Sequence, residues 1–385
     1  MRILMMCYEF PPIGGGGAGV VHGLSTQLVR MGHEVDVVTM HYRGLRKHEW
    51  VDGVQVFRVP CVRFSTSWCT MAEQATYLAT MLPFVVKLAR RRHYDINHTH
   101  FVLPDGLGAM MLRRIVGLPY VITSHGSDVP GYNPHRFRLA HRTLAPVWRS
   151  IAAEADRIFC PSELQQELVL RAQPSARTTV IPNGIYEDPT IVYGGEKQRR
   201  ILVVTRMFER KGIQYFLRAL QGMRLQHEVH IAGDGPYLPT LRALAEELGL
   251  NVRFWGWLDR ASDELKNLYD SSEIYVFPSE AENFPLVLLE AMRAGAAIIT
   301  TRGTGCAGVV GDTALLVEPC SPESIRTALT RLTGDRELCH RLGTAARTRM
   351  RDNFTWPGVA KRYLECYGTT PRLSPTGVAA VVDMA

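Results

Sequence analysis

Residues 274–301 read IYVFPSEAENFPLVLLEAMRAGAAIITT, and this stretch decides the fold. It opens with an apolar, β-branched run, continues with an apolar segment of helical character and closes with a second β-branched run. That order predicts a strand, a helix and a parallel strand, the βαβ unit of a sheet covered by helices. Three acids lie between the two β-branched runs, Glu280, Glu282 and Glu290, and the last two of them need to be explained.

The two acids need different explanations. An acid in the first turn of a helix is favoured by the helix dipole, which accounts for Glu282. Glu290 should lie about two turns further on, among leucine, alanine and methionine, where an unpaired carboxylate is costly to bury. A structural salt bridge and a ligand contact are both open for Glu290 at this point.

The same alternation of strands and helices runs through the chain in two series. The strands of the first series include RILMMCY, EVDVVTM, DINHTH, YVITSHG and RIFCPS, and those of the second include ILVVTR, EVHIAGDG, VRFWGWL, IYVFPS, AAIITT and TALLVEP. An aperiodic stretch divides the series, and 385 residues suffice for two or three cores. We predict an N-terminal domain at 1–185, a linker at 186–200, a C-terminal domain at 201–350, a C-terminal helix at 351–368 and a tail at 369–385.

The net charge of +7 belongs to the first half of the chain, because residues 1–185 carry 20 Lys and Arg against 13 Asp and Glu. The excess is concentrated at 87–93 and at 135–149, and in the second segment Phe137 and Trp148 are interleaved with the cations. Such a surface suits an anionic membrane face. An ordinary solvated helix face explains it equally well.

Eight cysteines are scattered without a CxxC pair, so neither a zinc site nor a disulfide framework is indicated. We expect reduced, mostly buried thiols and a cytoplasmic protein. The longest apolar stretch ends at Lys87 after about eleven residues, well short of the ~20 that a spanning helix needs.

A glycine-rich loop follows the first predicted strand. Glycines leave the backbone able to approach a ligand closely and to point amide groups at a phosphate near a helix N-terminus. No acidic residue ends the next strand, which argues against a dinucleotide-binding oxidoreductase. A flexible turn is the alternative reading. The four glycines are Gly14, Gly15, Gly16 and Gly17.

Polar side chains also follow other predicted strands. His125 stands just past a strand in TSHGSD, and the same position applies more weakly to His98, His100 and Asp105. Ligands of open α/β sheets bind outside the carboxyl ends of the strands, so His125 is a candidate functional residue. A structural histidine is the competing reading.

In the second half, Arg206 ends a strand and Lys211 directly precedes a predicted helix. Two cations beside a helix N-terminus suit a diphosphate, although solvated surface cations are common. No DxD triplet occurs that would hold Mg²⁺ or Mn²⁺, so we expect side-chain cations and amides to neutralise a bound diphosphate. Gly233, in the turn GDGP, follows a neighbouring strand.

The ordered set of these motifs resembles the family 4 glycosyltransferases, and the likeness covers nearly everything from residue 1 to about 368. The matching elements are the glycine-rich loop, the HG turn at His125, VIPNGI at 180–185, TRMFERKG, AGDGP and PSEAENFPLVLLEAMRAG. The resemblance implies an α/β fold of GT-B architecture. In that architecture two Rossmann-like, doubly wound parallel-sheet domains face each other, and a C-terminal helix packs back toward the N-terminal domain.

The last element is similar to the E-x7-E motif of the family. By that resemblance, Glu282 contacts hydroxyls of the donor sugar and Glu290 accepts hydrogen bonds from the ribose of the nucleotide. Arg206 and Lys211 fall on the diphosphate-binding pair, and His125 falls where the family has a histidine near the transferred sugar. The resemblance thus makes His125, Glu282, Arg206 and Lys211 the catalytic candidates.

By the same resemblance, the donor-binding set also includes Gly233, Asn283, Phe284, Pro285 and Leu286. Backbone amides around Phe284, Pro285 and Leu286 are expected to touch donor hydroxyls or phosphate. The family often has glycine at the positions of Asn283 and Pro285. Because proline has no N–H, one backbone contact is in doubt at Pro285.

The implied activity is transfer of a hexosyl group from a UDP- or GDP-sugar to a lipid-linked, glycan or other small acceptor. Transfer would proceed with retention of anomeric configuration and without a metal or other cofactor. A nucleotide-sugar epimerase and a non-catalytic nucleotide-sugar-binding protein are the alternatives. We expect no nucleic-acid partner, and we expect a cytoplasmic protein that can associate peripherally with an anionic membrane through its basic N-terminal domain.

Overall fold

The structure is a computed structural model that describes residues 1–66, 68–132, 142–187, 197–260 and 262–369. The chain divides into two compact units. Unit 1 contains Met1–Gly184 together with Trp356–Ala385, and unit 2 contains Ile185–Thr355. Each unit is built around its own sheet, with helices between the strands.

Within the described residues, unit 1 has an eight-stranded sheet in the order β3-β4-β2-β1-β5-β6-β7-β8. All neighbours are parallel except the β3–β4 hairpin. The strands are β1 (Arg2–Met6), β2 (Glu34–Met40), β3 (His48–Val51), β4 (Val54–Val59), β5 (Ile96–His100), β6 (Tyr120–Thr123), β7 (Arg157–Cys160) and β8 (Thr178–Val180). Strand order reverses beside β1, since β2 lies on one side of it and β5 on the other.

Among the described residues, the first five helices lie between these strands and are α1 (Gly16–Arg30), α2 (Met71–Arg92), α3 (Asp105–Val116), α4 (Ala145–Glu154) and α5 (Glu163–Ala172). Local signals set their starts. At α2, the Thr70 side chain accepts from the Glu73 backbone amide, and the Glu73 side chain accepts from the Thr70 amide. This capping box satisfies amides that the first turn of a helix leaves without partners.

Unit 2 has a six-stranded, wholly parallel sheet in the order β11-β10-β9-β12-β13-β14, again counting only described residues. Its strand order reverses at β9, because β10 lies on one side of it and β12 on the other. The strands are β9 (Gln198–Val204), β10 (Glu228–Ala232), β11 (Val252–Gly256), β12 (Ser272–Phe277), β13 (Ala297–Thr301) and β14 (Ala314–Val317).

Helices cover both faces of this second sheet. Successive side chains of a strand point to opposite faces. Accordingly Ile201 and Val203 of β9 join one buried apolar cluster, and Leu202 and Val204 join the other. The helices are α6 (Ile213–Leu220), α7 (Leu238–Glu247), α8 (Asp263–Ser271), α9 (Leu286–Ala294), α10 (Gly305–Val310), α11 (Pro322–Thr333) and α12 (Arg336–Asn353).

The last described element is α13 (Trp356–Gly368), which belongs to unit 1. Tyr363 and Tyr367 of α13 are buried, and the Trp356 indole lies against Gly23 of α1. The expectation that a C-terminal helix packs back on the N-terminal part of the chain is therefore confirmed.

All strands named from the sequence are present, but β3, β4 and β8 were not predicted. The hairpin carries a local signal, since Asp52 and Gly53 both have positive φ, at 48° and 82°, as a two-residue Asp-Gly turn requires. The predicted C-terminal helix at 351–368 is wrong at its start, because α12 continues to Asn353. Strand β9 begins at Gln198, inside the predicted linker at 186–200.

All eight cysteines are free thiols, of which Cys7, Cys160, Cys306 and Cys339 are buried and Cys320 is exposed. The expectation that most are buried therefore holds for only half of them. Parts of the predicted linker, tail and second basic segment, at 188–196, 370–385 and 135–141, lie outside the described residues.

Within the described ranges, no helix is both long enough and apolar enough to cross a membrane.

Candidate active site

The candidate donor residues lie where the strand order of unit 2 reverses. Ligands of open α/β sheets bind outside the carboxyl ends of the strands at such a switch point. Arg206 and Lys211 follow β9, and Glu282 follows β12, which is the neighbour of β9 on the other side of the reversal. Residues separated by three helices and three strands therefore meet at one edge of the sheet.

Lys211 and Glu282 form a nearly buried ion pair, with side chains 9% and 11% exposed. Lys211 ends a short 3-10 turn, and Gly212 then turns the chain with a left-handed φ of 71°. The Lys211 ammonium donates to Oε1 of Glu282, and the Ser279 hydroxyl donates to the same oxygen at 2.8 Å. No described residue donates to Oε2, so this oxygen keeps its accepting capacity.

Backbone contacts hold the two loops together. The Glu280 amide donates to the Arg210 carbonyl at 2.9 Å, and the Arg210 guanidinium donates to the Ala281 carbonyl at 3.3 Å. The Lys211 ammonium also lies 5.4 Å from the centre of the Phe277 ring at the end of β12. The ion pair is thus preorganised by its surroundings, rather than formed by two long mobile side chains.

Arg206 differs from Lys211 in its setting. It is exposed, its guanidinium carbon lies 5.6 Å from the centre of the Phe208 ring, and it forms no ion pair with any described residue. The predicted cationic pair therefore consists of two different groups. The Lys211 ammonium is nearly buried and paired with Glu282, whereas the Arg206 guanidinium is exposed and has no ion-pair partner among the described residues.

The helix-dipole explanation for Glu282 is wrong. Helix α9 begins at Leu286, and no acid lies in its first turn. Pro285 is the residue before the helix and has extended backbone, with φ −76° and ψ 115°. Glu282 therefore lies in the preceding loop, and its position is explained by Lys211 and Ser279.

The loop between Glu282 and α9 has mixed roles. Asn283 is buried, and the Phe284 ring packs edge-on against Phe354 at 5.7 Å. Pro285 accepts from the Leu288 amide at 3.1 Å but has no amide of its own to offer. The first amides of a helix have no partner within the helix, so Leu286 is the member of this set whose N–H suits a phosphate.

Glu290 is held by two residues that sequence reasoning did not identify. Its Oε1 accepts from Nε of Arg260 at 2.9 Å and from Nη2 of the same guanidinium, and its Oε2 accepts from the Tyr269 hydroxyl at 2.9 Å. The Glu290 charge raises the pKa of Arg260. Burial first, and Glu290 second, hold the pKa of Tyr269 well above its usual range. Since each carboxylate oxygen has two lone pairs, Oε2 can accept one more hydrogen bond.

Gly233 uses its amide within the sheet. Its N–H donates to the Gly256 carbonyl at 2.7 Å, beside the pairing of β10 with β11. A Cβ at this position would lie 1.8 Å from the Thr205 carbonyl oxygen. Gly233 therefore allows close backbone packing of the loops after β9 and β10, and its contact with the donor stays a prediction.

In unit 1, the glycine-rich loop follows β1 at the reversal of that sheet. Gly14 and Gly15 precede α1, which opens with Gly16 and Gly17. A Cβ on Gly17 would lie 2.8 Å from the Phe101 ring, so the loop packs directly on the segment after β5.

The acid beside this loop matters for its ligand. The Glu9 carboxylate accepts from the Gly15 amide at 3.2 Å. A carboxylate repels a phosphate but accepts hydrogen bonds from hydroxyls. The loop therefore suits a ligand that carries hydroxyl groups better than it suits a phosphate.

His125 is positioned by Asp128. One carboxylate oxygen of Asp128 accepts from the His125 amide at 2.9 Å, and the other accepts from the Val102 amide at 2.9 Å. Asp128 thereby joins the segments after β5 and β6. Nε2 of the half-buried His125 ring lies 3.0 Å from Nδ1 of His100.

The His100 contact sets the tautomers of both rings. Nε2 of His100 is buried and has no partner among the described residues, so it is better left without a proton. His100 then carries its proton on Nδ1 and donates to Nε2 of His125, which leaves His125 with its proton on Nδ1. Burial lowers the pKa of His125 to about 3. Burial therefore favours the neutral form of His125, in which the ring can act as a hydrogen-bonding group.

The other polar residues noted beside His125 are structural. His98 lies 2.7 Å from the Thr123 hydroxyl and 2.6 Å from the Tyr367 hydroxyl. Asp105 is fully buried and accepts from the Tyr77 hydroxyl at 2.9 Å, and burial raises its pKa to about 8.

No group of three or more His, Cys, Asp or Glu side chains within the described part of the chain is arranged to hold a metal ion.

Comparison with known proteins gives consistent matches. The family model described as Glycosyltransferase Family 4 matches residues 14–188, and the model described as Glycosyl transferases group 1 matches residues 192–349. An uncharacterized glycosyltransferase of Methanocaldococcus jannaschii is 29% identical over 392 residues, covering 95% of this chain and 98% of that protein.

Solved structures match over nearly the whole chain. A sucrose-phosphate synthase from Thermosynechococcus elongatus superposes with a TM-score of 0.78 at 23% identity, covering 96% of this chain and 98% of that one. Anabaena HepE, crystallised with UDP-glucose, superposes with a TM-score of 0.73 at 17% identity, covering 96% of this chain and all of its own. The two matched models adjoin along the chain, and both units have the expected parallel sheets. The chain belongs to the family 4 glycosyltransferases and has the GT-B architecture.

Proposed function

We propose that this glycosyltransferase moves a hexosyl group from a nucleotide diphospho-sugar, with UDP- and GDP-sugars as the candidate donors, with retention and without a metal. The observation that carries the proposal is the buried Lys211–Glu282 pair at the switch point of unit 2. The UDP-glucose complex of Anabaena HepE, a protein of similar fold, supports the donor class.

The barrier to such a transfer lies in breaking the bond between the sugar and the diphosphate. Negative charge develops on the leaving diphosphate, and preorganised cations and helix N-termini stabilise it. Lys211 is nearly buried, where a charge acts through a lower dielectric than in water. We assign the diphosphate to Lys211, to the exposed Arg206 and to the first amides of α9.

Glu282 links this cation to the sugar. Its Oε1 is held by Lys211 and Ser279, and Oε2 is available to accept from a sugar hydroxyl. One carboxylate thus orients the sugar relative to the leaving group. Orientation of this kind contributes to catalysis without a covalent step.

Glu290 is assigned to the ribose of the nucleotide. Arg260 and Tyr269 fix the direction of its carboxylate, and the remaining lone pair of Oε2 can accept from a ribose hydroxyl. Because the partners of Glu290 are already in place, we expect it to contribute affinity for the nucleotide.

Unit 1 is assigned to the acceptor. Glu9 and the glycine-rich loop suit a ligand that carries hydroxyl groups, such as a sugar on a lipid or on a glycan. We keep His125 as a contact to the transferred sugar, acting as a hydrogen-bond donor through Nδ1.

The test begins with a thermal-shift screen of UDP-, GDP- and ADP-sugars, since binding to the folded state raises the melting temperature. The stabilising donor is then incubated with candidate acceptors, and the anomeric configuration of the product is determined by NMR. We expect retention, and equal rates with and without EDTA.

Three results would contradict the proposal: an inverted product, a rate abolished by EDTA, or isomerisation of the donor without an acceptor. The last result would identify an epimerase. Binding without any turnover across a broad acceptor panel would identify a non-catalytic binding protein.

A further inference from the structure

Four large apolar side chains are exposed on one short segment of unit 1, residues 61–66 and 68–71, which we term the apolar loop. The exposed fractions are 46% for Val62, 76% for Phe64, 55% for Trp68 and 49% for Met71. Exposed apolar side chains are normal where they are scattered singly, but a group of large ones on one short segment indicates an interaction site.

Buried polar contacts hold the apolar loop in this conformation. The buried Arg63 guanidinium donates to the Ser65 carbonyl at 2.8 Å and to the Tyr8 carbonyl at 3.3 Å. Glu73, at the start of α2, accepts from the Phe64 amide at 2.7 Å. The residues around Phe64 are thus held by buried hydrogen bonds while the Phe64 side chain is exposed. The fold itself therefore keeps Phe64 at the surface.

The apolar loop adjoins the glycine-rich loop. The Gly14 amide donates to the Thr66 carbonyl at 2.7 Å. Because the apolar loop follows β4 and the glycine-rich loop follows β1, both lie at the carboxyl edge of the sheet.

A second segment supplies positive charge beside the apolar loop. Residues 41–47, HYRGLRK, form a basic loop after β2, and Arg43, Arg46 and Lys47 are all exposed. The Cys61 thiol donates to the His41 carbonyl at 3.4 Å, which places the two loops side by side. Neither segment contains an acidic residue.

The cationic cluster noted in the sequence at 87–93 lies elsewhere. Arg90 and Arg91 are exposed at the C-terminal end of α2, whereas the apolar loop leads into its N-terminal end. A helix of 22 residues is about 33 Å long. The cations that accompany the apolar side chains are therefore those of the basic loop.

We propose that the apolar and basic loops dock unit 1 on an anionic lipid bilayer. Projecting aromatic side chains beside an acid-free set of cations match a surface that is negative outside and apolar beneath. Trp68 and Phe64 would enter the interface, where aromatic side chains are favoured, and the basic loop would contact the headgroups. The docking is independent of the donor assignment. It would bring the glycine-rich loop close to acceptors carried on lipids.

Sedimentation with phosphatidylcholine vesicles, with and without added phosphatidylglycerol, tests the docking on the full chain. We expect binding to the anionic vesicles that weakens with salt, and little binding to the neutral ones. The double variant Phe64→Ser/Trp68→Ser should lower the partition coefficient about tenfold or more, because it removes two apolar groups from the interface. Trp50→Ser is the matched control, since Trp50 is 67% exposed on β3 and lies outside both loops.

A second pair of variants tests the charge. Arg43→Ser/Arg46→Ser should lower binding to anionic vesicles about tenfold. Arg90→Ser/Arg91→Ser removes the same charge from the far end of α2 and should leave binding unchanged. Thermal unfolding of every variant verifies that it is folded.

Three outcomes would overturn the docking. Equal failure to bind both kinds of vesicle is the first, and loss of binding in the control variants instead of the loop variants is the second. The third is unchanged vesicle binding with a loss of transfer to a water-soluble acceptor in Phe64→Ser/Trp68→Ser, which would assign the apolar loop to the acceptor itself.

Discussion

Lys211 and Glu282 each serve the fold as well as the proposed chemistry. Both side chains are nearly buried, so removal of either leaves the other charged and unpaired. Breaking a buried pair in this way costs about 3–5 kcal/mol. A loss of activity in one single variant would therefore mix unfolding with lost catalysis.

A pair of variants separates the two roles. We expect Lys211→Met to lower the free energy of unfolding by about 3 kcal/mol, and Lys211→Met/Glu282→Gln to recover most of that loss, because no buried charge remains unpaired. Transfer should fall by about 100-fold or more in both, since each lacks the diphosphate cation. Urea unfolding and initial rates measure the two effects. Arg218→Met, which removes an exposed cation on α6, is the control, and recovery of transfer in the double variant would refute the catalytic role of Lys211.

The buried titratable groups of unit 1 have opposite effects on how the stability of the protein depends on pH. The pKa of Asp105 is raised to about 8, so the folded chain keeps a proton that the unfolded chain releases above about pH 4. Its stabilising contribution is therefore present at low pH and is lost as pH rises to 8. Burial lowers the pKa of His98 and His125 to about 3, so their contribution is lost as pH falls from about 6.5.

Asp105→Asn should remove only the loss of stability that occurs as pH rises toward 8. The asparagine oxygen can accept from the Tyr8 amide, and its NH₂ group can donate to the Tyr77 hydroxyl, which also lies 3.3 Å from the Val38 carbonyl. Between about pH 5 and 8, the wild-type chain should lose stability relative to the variant by up to about 1.4 kcal/mol per pH unit. Urea unfolding across that range measures the difference, and parallel stability profiles would contradict the assignment.

At the scale of elements, α9 owes its position to a close approach by α12. Gly343, in the middle of α12, lies where a Cβ would come within 2.1 Å of the Gly295 carbonyl oxygen at the end of α9. Helix α9 carries Glu290, so this approach supports the candidate nucleotide site. A glycine inside a helix ordinarily costs about 0.5–1 kcal/mol relative to alanine, and the packing explains why α12 keeps one here.

Gly343→Ala should therefore destabilise the protein, by about 1–3 kcal/mol, although alanine is the better helix former. Affinity for the nucleotide should fall as well, because α9 must shift. Gly308→Ala in α10 is the control, since a Cβ at Gly308 meets no atom within 4 Å. Calorimetric titration with the stabilising nucleotide and urea unfolding give the two readouts, and equal stability of both variants would count against the packing argument.

At the scale of the whole molecule, the chain leaves unit 1 after Gly184 and returns to it at Trp356. The returning helix α13 buries Tyr363 and Tyr367 against the His98 region of the first sheet. Unit 1 is therefore incomplete until α13 has been made.

Truncation after Thr355 should prevent unit 1 from folding stably. Each buried large side chain of α13 contributes about 1.5–3 kcal/mol, and several of them together approach the 5–15 kcal/mol that stabilises a typical domain. Hydrogen exchange of the β5 and β6 amides reports on unit 1 directly, and we expect it to become fast. Tyr367→Phe, which removes only the hydroxyl at His98, should cost about 1 kcal/mol. Slow exchange in the truncated chain would show that α13 is dispensable.

Much of the fold could be predicted from the sequence, because strands and helices leave local patterns. The β-branched runs, the helical spacing between them and the glycine turns were sufficient to predict two parallel sheets and the strands that precede Lys211, His125 and Glu282. The hairpin of β3 and β4 was missed despite its Asp-Gly turn. The start of α9 was misplaced because an acid and a proline both precede this helix, and the local pattern does not indicate which of them marks its beginning.

The sequence by itself determined which residues stand at the ends of strands, and with them the candidate site. Only the tertiary structure decided their partners. Lys211 meets Glu282 across 71 positions, Glu290 meets Arg260 across 30, and Tyr367 meets His98 across 269. Such pairs depend on which strands become neighbours and on how helices pack over them. Those arrangements arise from burial of apolar surface by the whole chain, which no local pattern records.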